Sequence, residues 1–152
     1  LGIARRMGIP HRDLAGGALE EFRREADEAD LVVDALLGTG VRGAVRSPYD
    51  AVIAAVNDAV NDAVNNTSTP VMAVDIPSGL DGDTGEELGV AVRADWTVTF
   101  AAPKVGFSRA AGPDCVGEVE LVEISIPRAC FPELGSPDRM STREGRNTDC
   151  TD

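Results

Sequence analysis

Two short apolar runs, each followed directly by an aspartate, narrow the choice of fold to a sheet layered with helices. The runs are Leu31–Val33 and Pro70–Val74, and the residues that follow them are Asp34 and Asp75. Between the two runs, apolar side chains recur every three or four positions, which predicts a helix over residues 47–64. A strand, a helix and a second strand in this order are typical of an α/β fold with a mostly parallel sheet.

Further elements extend this pattern in both directions. Helical spacing of apolar and charged residues predicts another helix over residues 13–29, and β-branched runs predict strands over residues 96–100 and 119–126. Together these elements predict a three-layer, Rossmann-like α/β fold. We assign residues 1–134 to one domain and predict that the polar residues 135–152 form a disordered tail.

Composition disfavours some classes of partner and of site. The 152 residues carry a formal net charge of −12, which repels nucleic acid backbones and anionic membrane surfaces. No run approaches the roughly 20 consecutive apolar residues that span a bilayer. The three cysteines show no C-x-x-C spacing, so a disulfide framework and a zinc site are disfavoured, and a reducing compartment, the cytoplasm, is expected.

The two aspartates are candidate site residues because of where the predicted strands end. Parallel sheets bind ligands outside the carboxyl ends of their strands, and Asp34 and Asp75 both lie at such an end. A glycine-rich turn, Gly38–Gly43, follows the first of them. It satisfies G-x-G-x-x-G, but the next helix begins only near Ser47, so a dinucleotide-binding fingerprint is disfavoured. Two interpretations stay open, a turn whose N–H groups meet an anion and a purely structural turn.

Two other motifs give weaker signals. The acidic segment Asp81–Glu86 resembles the start of a calcium loop, but Thr84 and Gly85 break the ligand spacing, so a solvated turn is favoured. Ser78 lacks the G-x-S-x-G context of a hydrolase nucleophile, and the only histidine of the chain is His11. A hydrolase triad is therefore disfavoured.

Several segments, taken in order, resemble the signatures of one known family. They are Val33–Gly40, Val74–Asp81 with Thr84 and Gly85, Ala94–Phe100 with Pro103–Phe107, and Gly117–Pro127. This pattern resembles the NAD(P)H-hydrate epimerases, whose fold is also called the YjeF N-terminal domain. The family's Asn-Asn-Gly-Gly-Asp-Gly loop has no match in the sequence. The chain is therefore expected to be the C-terminal part of the domain, without its first strands, and to have no appreciable activity by itself.

The resemblance implies a role in the repair of damaged nicotinamide cofactors. Family members interconvert the R and S forms of hydrated NADH and NADPH, so that a separate dehydratase can restore the cofactor. The resemblance also implies a potassium ion held by Asp34 and Ser78, and a homodimer is a further expectation. The hydrate is implied to contact Asp75 and a glycine loop that comprises Gly38, Thr39, Gly40, Val41, Arg42, Gly43 and Ala44.

Asp75 is the residue to which we assign the chemistry. Loss of the hydroxyl group from the hydrated carbon, assisted by the ring nitrogen, leaves an iminium cation, and water returning to the other face inverts that carbon. A carboxyl group can protonate the leaving hydroxyl and, once ionised, stabilise the cation and deprotonate the incoming water. The alternative role of Asp75 is to cap a helix or turn. Lys104 either meets a ligand phosphate or lies on the surface.

The competing function is a non-catalytic binding or scaffold protein with the same fold, or an inactive fragment of an enzyme. The retained Asp34, Asp75 and Ser78 favour descent from an isomerase, whereas the unmatched loop favours the non-catalytic alternative. Turnover of the hydrates distinguishes the two.

Overall fold

The computed structural model describes residues 2–11, 13, 18–60 and 69–126, which form four α-helices, a 3₁₀ helix and one four-stranded sheet. The α-helices are α1 (Gly2–Arg6), α2 (Leu19–Asp27), α3 (Tyr49–Val60) and α4 (Gly112–Val116), and the 3₁₀ helix spans Val105–Ser108. The strands are β1 (Val32–Asp34), β2 (Val71–Val74), β3 (Trp96–Phe100) and β4 (Glu118–Val122). The predicted α/β class and the parallel sheet are confirmed.

The strands lie in the order β1-β2-β3-β4, and each runs parallel to its neighbour. Helix α3 joins β1 to β2, a long loop over residues 75–95 joins β2 to β3, and the 3₁₀ helix and α4 join β3 to β4. Because all four strands run the same way, their carboxyl ends meet at one edge, here called the carboxyl edge. Asp34 ends β1 at this edge, and Asp75 directly follows β2.

The main core lies on one face of the sheet, under α3. Ile53 and Val56 of α3 pack with Val71 and Ala73 of β2, and all four side chains are buried. Valine and isoleucine suit these positions because branched side chains pack well on a pleated surface. On the opposite face the sheet is less covered, since Trp96 is 43% exposed. Asp34 belongs to the face of the sheet that α3, the helix after β1, covers.

Several element boundaries differ from those predicted from the sequence. Helix α2 ends at Asp27, before the predicted end at residue 29, and residues 14–17 of its predicted start lie outside the described ranges. Strand β4 ends at Val122 and does not continue to residue 126. It ends there because its partner also ends there, with Phe100 of β3 paired to Val122.

Some predictions fall on residues that the structure does not describe. The end of the predicted helix at residue 64 and the predicted tail over 135–152 lie outside the described ranges. The domain boundary at residue 134 lies outside them as well. Within the described ranges, none of the helices is long and apolar enough to cross a membrane.

Candidate functional site

A cavity of about 380 Å³ opens at the carboxyl edge of the sheet. The glycine loop forms one wall, Leu80–Asp83 forms a second and Phe100–Val105 forms a third. Small-molecule sites have volumes of roughly 300–1,000 Å³, so the cavity is large enough to be one. Arg42 and Lys104 bring positive charge to the walls, and two aspartates of the second wall bring negative charge. The cavity is therefore a candidate binding site for a polar, charged small molecule.

Only part of the glycine loop faces this cavity. Gly38, Thr39, Val41 and Arg42 line it, whereas Gly40, Gly43 and Ala44 do not. A Cβ atom added at Gly38 or Gly40 would meet no atom within 4 Å, so the fold itself does not require glycine there. Gly43 differs, because its φ of 73° is one that residues with side chains rarely adopt. Gly43 thus serves the turn, and Gly38 leaves the backbone open to a ligand.

Asp75 lies beside the cavity, at the point where β2 ends. Its φ of 70° is left-handed, a conformation that aspartate tolerates better than most residues. Its backbone N–H donates to the carbonyl of Val98 at 2.8 Å, which keeps the residue attached to the sheet. Its carboxylate accepts hydrogen bonds from the N–H of Phe100 at 3.2 Å and from the hydroxyl of Thr99 at 3.4 Å. These bonds join Asp75 to the end of the neighbouring strand β3, so they differ from the helix or turn cap considered from the sequence.

Lys104 links Asp75 to the wall of the cavity. It lines the cavity, whereas Asp75 does not. The ammonium group of Lys104 forms an ion pair with the Asp75 carboxylate and donates to the hydroxyl of Thr99 at 3.0 Å. The carbonyl oxygens of Phe100 and Ala102 lie 3.4 Å from it. The side chain is only 17% exposed, so the surface position considered for Lys104 is wrong.

The surroundings of Asp75 favour its ionised form. Partial burial acts to raise the pKa of Asp75, but the hydrogen bonds from Lys104 and Phe100 and the positive charge of Lys104 outweigh it. The pKa of Asp75 therefore lies below the ordinary range of an aspartate. An ionised carboxylate can stabilise a cation or accept a proton, but it has no proton to donate. The acid half of the role predicted for Asp75 is thus better suited to another group.

Sequence reasoning did not identify the partners of Asp75. The sequence presents Thr99 only as a strand residue, and no motif in it connects Lys104 to Asp75. Their positions are the one indication: Thr99 lies at the end of β3 and Lys104 just beyond it, and β3 pairs with β2. Parallel pairing brings the carboxyl ends of those two strands together.

Asp34 and Ser78 are 44 positions apart in the sequence, and they touch in the structure. The Ser78 hydroxyl donates to one Asp34 oxygen at 2.6 Å, and the Ser78 N–H donates to the other at 2.7 Å. The hydroxyl in turn accepts a hydrogen bond from the N–H of Leu37 at 2.9 Å. This contact, implied by the family resemblance, fastens the start of the glycine loop to the loop that follows β2.

The same atoms form a donor set that fits a monovalent cation. Asp34 is 2% exposed, and among the described residues no basic side chain is within ion-pair distance of it. A buried charge without an opposite charge is costly. The Leu37 carbonyl lies 3.3 Å from the Ser78 hydroxyl and adds a third oxygen of the kind that hard cations take. One carboxylate with two neutral oxygens carries a single negative charge, which a singly charged cation balances. In the described ranges no group of three or more His, Cys, Asp or Glu residues could hold a metal ion.

The acidic segment Asp81–Glu86 forms a turn that closes on itself. The carboxylate of Asp81 accepts hydrogen bonds from the N–H groups of Asp83 and Thr84, both at 2.9 Å. The bond from Thr84 is the largest cause that lowers the pKa of Asp81, followed by that from Asp83. The favoured interpretation of this segment as a turn agrees with its structure.

Comparison with known proteins bears on the same residues. Residues 3–106 match the family described as YjeF-related protein N-terminus. The chain is 51% identical over 112 residues to the bifunctional NAD(P)H-hydrate repair enzyme Nnr of Hyperthermus butylicus. The aligned region covers 73% of this chain and 19% of that protein. It is 42% identical over 125 residues to the NAD(P)H-hydrate epimerase of Rhodopirellula baltica, with coverages of 82% and 47%. It is 41% identical over 139 residues to the Nnr enzyme of Archaeoglobus fulgidus, with coverages of 90% and 25%.

The chain therefore spans between 19% and 47% of the length of these relatives. The matched region contains Asp34, Asp75, Ser78, Lys104 and the whole glycine loop, so the site described above lies within it. The resemblance stated from the signature segments is confirmed. On this match, the chain belongs to the YjeF-related N-terminal family.

Proposed function

We propose that the protein epimerises hydrated NADH and NADPH, interconverting their R and S forms. One relative is named an NAD(P)H-hydrate epimerase, and two are named NAD(P)H-hydrate repair enzymes. The observation that carries the proposal is the cavity at the carboxyl edge, where the ion pair of Lys104 and Asp75 adjoins an open glycine loop. An ion pair at the wall of the cavity and an exposed backbone within it suit a reaction at the ring of a nucleotide.

The reaction requires a cation to be stabilised beside the ring. When the hydroxyl leaves the hydrated carbon, the ring nitrogen supplies its lone pair and the ring becomes an iminium cation. In this proposal the Asp75 carboxylate offsets that positive charge. Water then adds to the other face and inverts the carbon. General acid–base assistance to such steps contributes about 10²–10⁴-fold to the rate.

The phosphates of the substrate require a local anion site. The formal net charge of −12 repels an anionic ligand at long range, so binding depends on nearby positive groups. We assign this role to the guanidinium of Arg42 and to the open backbone at Gly38, both of which line the cavity. Glycine-rich turns bind anions through successive N–H groups, and arginine matches phosphate geometry.

The proposal includes a potassium ion held by the Asp34 carboxylate, the Ser78 hydroxyl and the Leu37 carbonyl. When bound, the ion neutralises the buried carboxylate and holds the start of the glycine loop. A homodimer and a cytoplasmic location stay predictions. Cys115 is a buried free thiol, which supports a reducing compartment. Light scattering of the purified protein tests the dimer.

The proposed function is tested by measuring, with chromatography, how fast purified R hydrate is converted into S hydrate. The protein as its gene encodes it is compared with Asp75→Asn in potassium-containing buffer, and the spontaneous rate is subtracted. We expect wild-type conversion well above the spontaneous rate and a loss of at least about tenfold in the variant. Asparagine tolerates the left-handed backbone but lacks the charge, so the variant should still unfold cooperatively.

Asp114→Asn is the matched control, because Asp114 is an exposed residue of α4 that does not line the cavity. Its conversion rate should equal that of the wild type. Wild-type conversion no faster than the spontaneous reaction contradicts the proposed function and leaves the non-catalytic binding protein. An Asp75→Asn rate within about twofold of the wild type removes only Asp75 from the mechanism.

A further inference from the structure

The only lysine of the chain lines the cavity. The sequence holds 14 lysine and arginine residues, and Lys104 is the single lysine among them. Arginine does not release its proton in proteins, whereas the ammonium group of a lysine can. Among the lysine and arginine residues, the one side chain that can exchange a proton therefore faces the proposed substrate site.

We propose that Lys104 is a catalytic residue of the epimerisation, which gives a proton to the leaving hydroxyl and later regains it. This inference rests on the proposed function and reassigns the acid half of the reaction from Asp75. Asp75 forms an ion pair with Lys104, is not among the residues that line the cavity, and is held ionised by its neighbours. It becomes the positioning residue that holds the ammonium group and offsets the charge of the ring.

The hydrogen bonds of Lys104 leave one of its three protons available. The Asp75 carboxylate and the Thr99 hydroxyl, the latter at 3.0 Å, take two of them. Among the described residues, the third has only the carbonyl oxygens of Phe100 and Ala102, both 3.4 Å away and beyond the usual 2.7–3.2 Å of a hydrogen bond. A hydroxyl oxygen of a ligand in the cavity would be a better acceptor for it.

The proposed step balances in atoms and in charge. The bond between the ring carbon and the hydroxyl oxygen breaks, its electron pair stays on the oxygen, and a proton from Lys104 turns that oxygen into water. The ring nitrogen's lone pair forms a C=N bond, which leaves an iminium cation beside a neutral amine. Positive charge on the ring favours the neutral amine, because nearby like charges repel. Water adds to the opposite face, and its surplus proton returns to Lys104 through water in the cavity.

A single lysine makes contact with the substrate directly measurable. With ¹³C-labelled lysine, the 152-residue chain has one lysine side chain to report in NMR spectra. We expect its signals to shift when purified NADPH hydrate is added. Unchanged lysine signals at a hydrate concentration that shifts the glycine-loop amides overturn the catalytic role of Lys104. If neither set of signals moves, the proposed function fails as well.

Lys104→Arg separates proton transfer from positioning in the conversion assay. Arginine keeps the positive charge but holds its proton, so the rate should fall by about 10²-fold or more, with unfolding still cooperative. Lys104→Ala should regain activity in proportion to added ethylamine and not with guanidinium, a readout that a structural role would not produce. A Lys104→Arg rate within about threefold of the wild type, or equal rescue by guanidinium, overturns the proposal. Wild-type turnover in the same assay distinguishes that outcome from a failure of the proposed function.

Discussion

Asp34 and Asp75 are the same type of residue at the same edge of the sheet, and their environments give them different chemistry. Asp34 is buried and accepts hydrogen bonds from neutral donors, chiefly the hydroxyl and N–H of Ser78. Asp75 is partly exposed and pairs with the ammonium group of Lys104. Asp34 is thus suited to an added cation, whereas Asp75 already has its counter-charge within the chain.

Asp75→Asn should lower stability only where Asp75 is ionised. The folded-state pKa of Asp75 lies below its unfolded-state value, so the ion pair stabilises the fold above the ordinary aspartate pKa of about 3.9. That contribution is lost as the pH falls through the folded-state pKa. We expect a loss of about 1 kcal/mol at pH 7 in urea unfolding, since the pair is partly exposed. The difference from the wild type should shrink in the acid range, and a difference independent of pH would contradict this account.

The family resemblance implied that Asp34 and Ser78 share a site, whereas neither it nor the sequence indicated the contact of Asp75 with Lys104. Ser78 lies four residues after β2 ends at Val74, so the apolar pattern alone did not place it beside Asp34. Lys104 lies in an irregular segment beyond β3, where no periodicity indicates the path of the chain. Its burial and its partner depend on tertiary contacts, which become visible only in the structure.

At the level of elements, irregular segments build the site and the regular ones support it. The three walls of the cavity are the glycine loop, Leu80–Asp83 and Phe100–Val105. The course of the glycine loop depends on a 2.7 Å hydrogen bond from the N–H of Val45 to the carbonyl of Leu88. This long-range bond explains why the last residues of the loop lie away from the cavity, which no local pattern could indicate.

Two of these walls meet at Gly106. Its N–H donates to the carbonyl of Gly82 at 2.7 Å, which ties the 3₁₀ helix to the second wall. A Cβ atom at Gly106 would lie 2.4 Å from the carbonyl oxygen of Asp81 and 2.7 Å from the backbone nitrogen of Gly85. Both are backbone atoms, which cannot yield without moving the walls.

Gly106→Ala should therefore destabilise the fold by about 1–3 kcal/mol, the usual cost of forcing extra atoms into a packed site. Gly38→Ala is the control, because a Cβ atom there meets nothing within 4 Å. Its free energy of unfolding should stay within about 0.5 kcal/mol of the wild type. Urea denaturation of the three proteins measures both values. Equal stability of the two variants would show that the contact between the walls does not require glycine.

For the molecule as a whole, salt is expected to affect the stability of the fold in two separate ways, one through the net charge and one through the buried carboxylate of Asp34. The formal net charge of −12 favours expansion through self-repulsion, and any salt weakens that repulsion by screening. Asp34 is buried, so bulk salt screens it much less than the surface charges, and an ion that enters the site acts on it directly. Comparing cations at one ionic strength separates the binding of an ion near Asp34 from the screening of the net charge.

Potassium should accordingly stabilise the fold more than equal concentrations of sodium or choline. At one ionic strength the three chlorides screen the net charge to the same extent, so a surplus reports binding to the native state. At a potassium concentration of ten times Kd, that surplus is about 1.4 kcal/mol in the free energy of unfolding.

Two serine variants test where the ion binds. Ser78→Ala removes the hydroxyl ligand and should abolish the surplus stability in potassium. Ser108→Ala should keep this surplus, because Ser108 is exposed and its hydroxyl donates to the nearby Val105 carbonyl at 3.3 Å. Identical melting temperatures in potassium and choline would contradict the cation site, and a surplus that survives Ser78→Ala would locate the ion elsewhere.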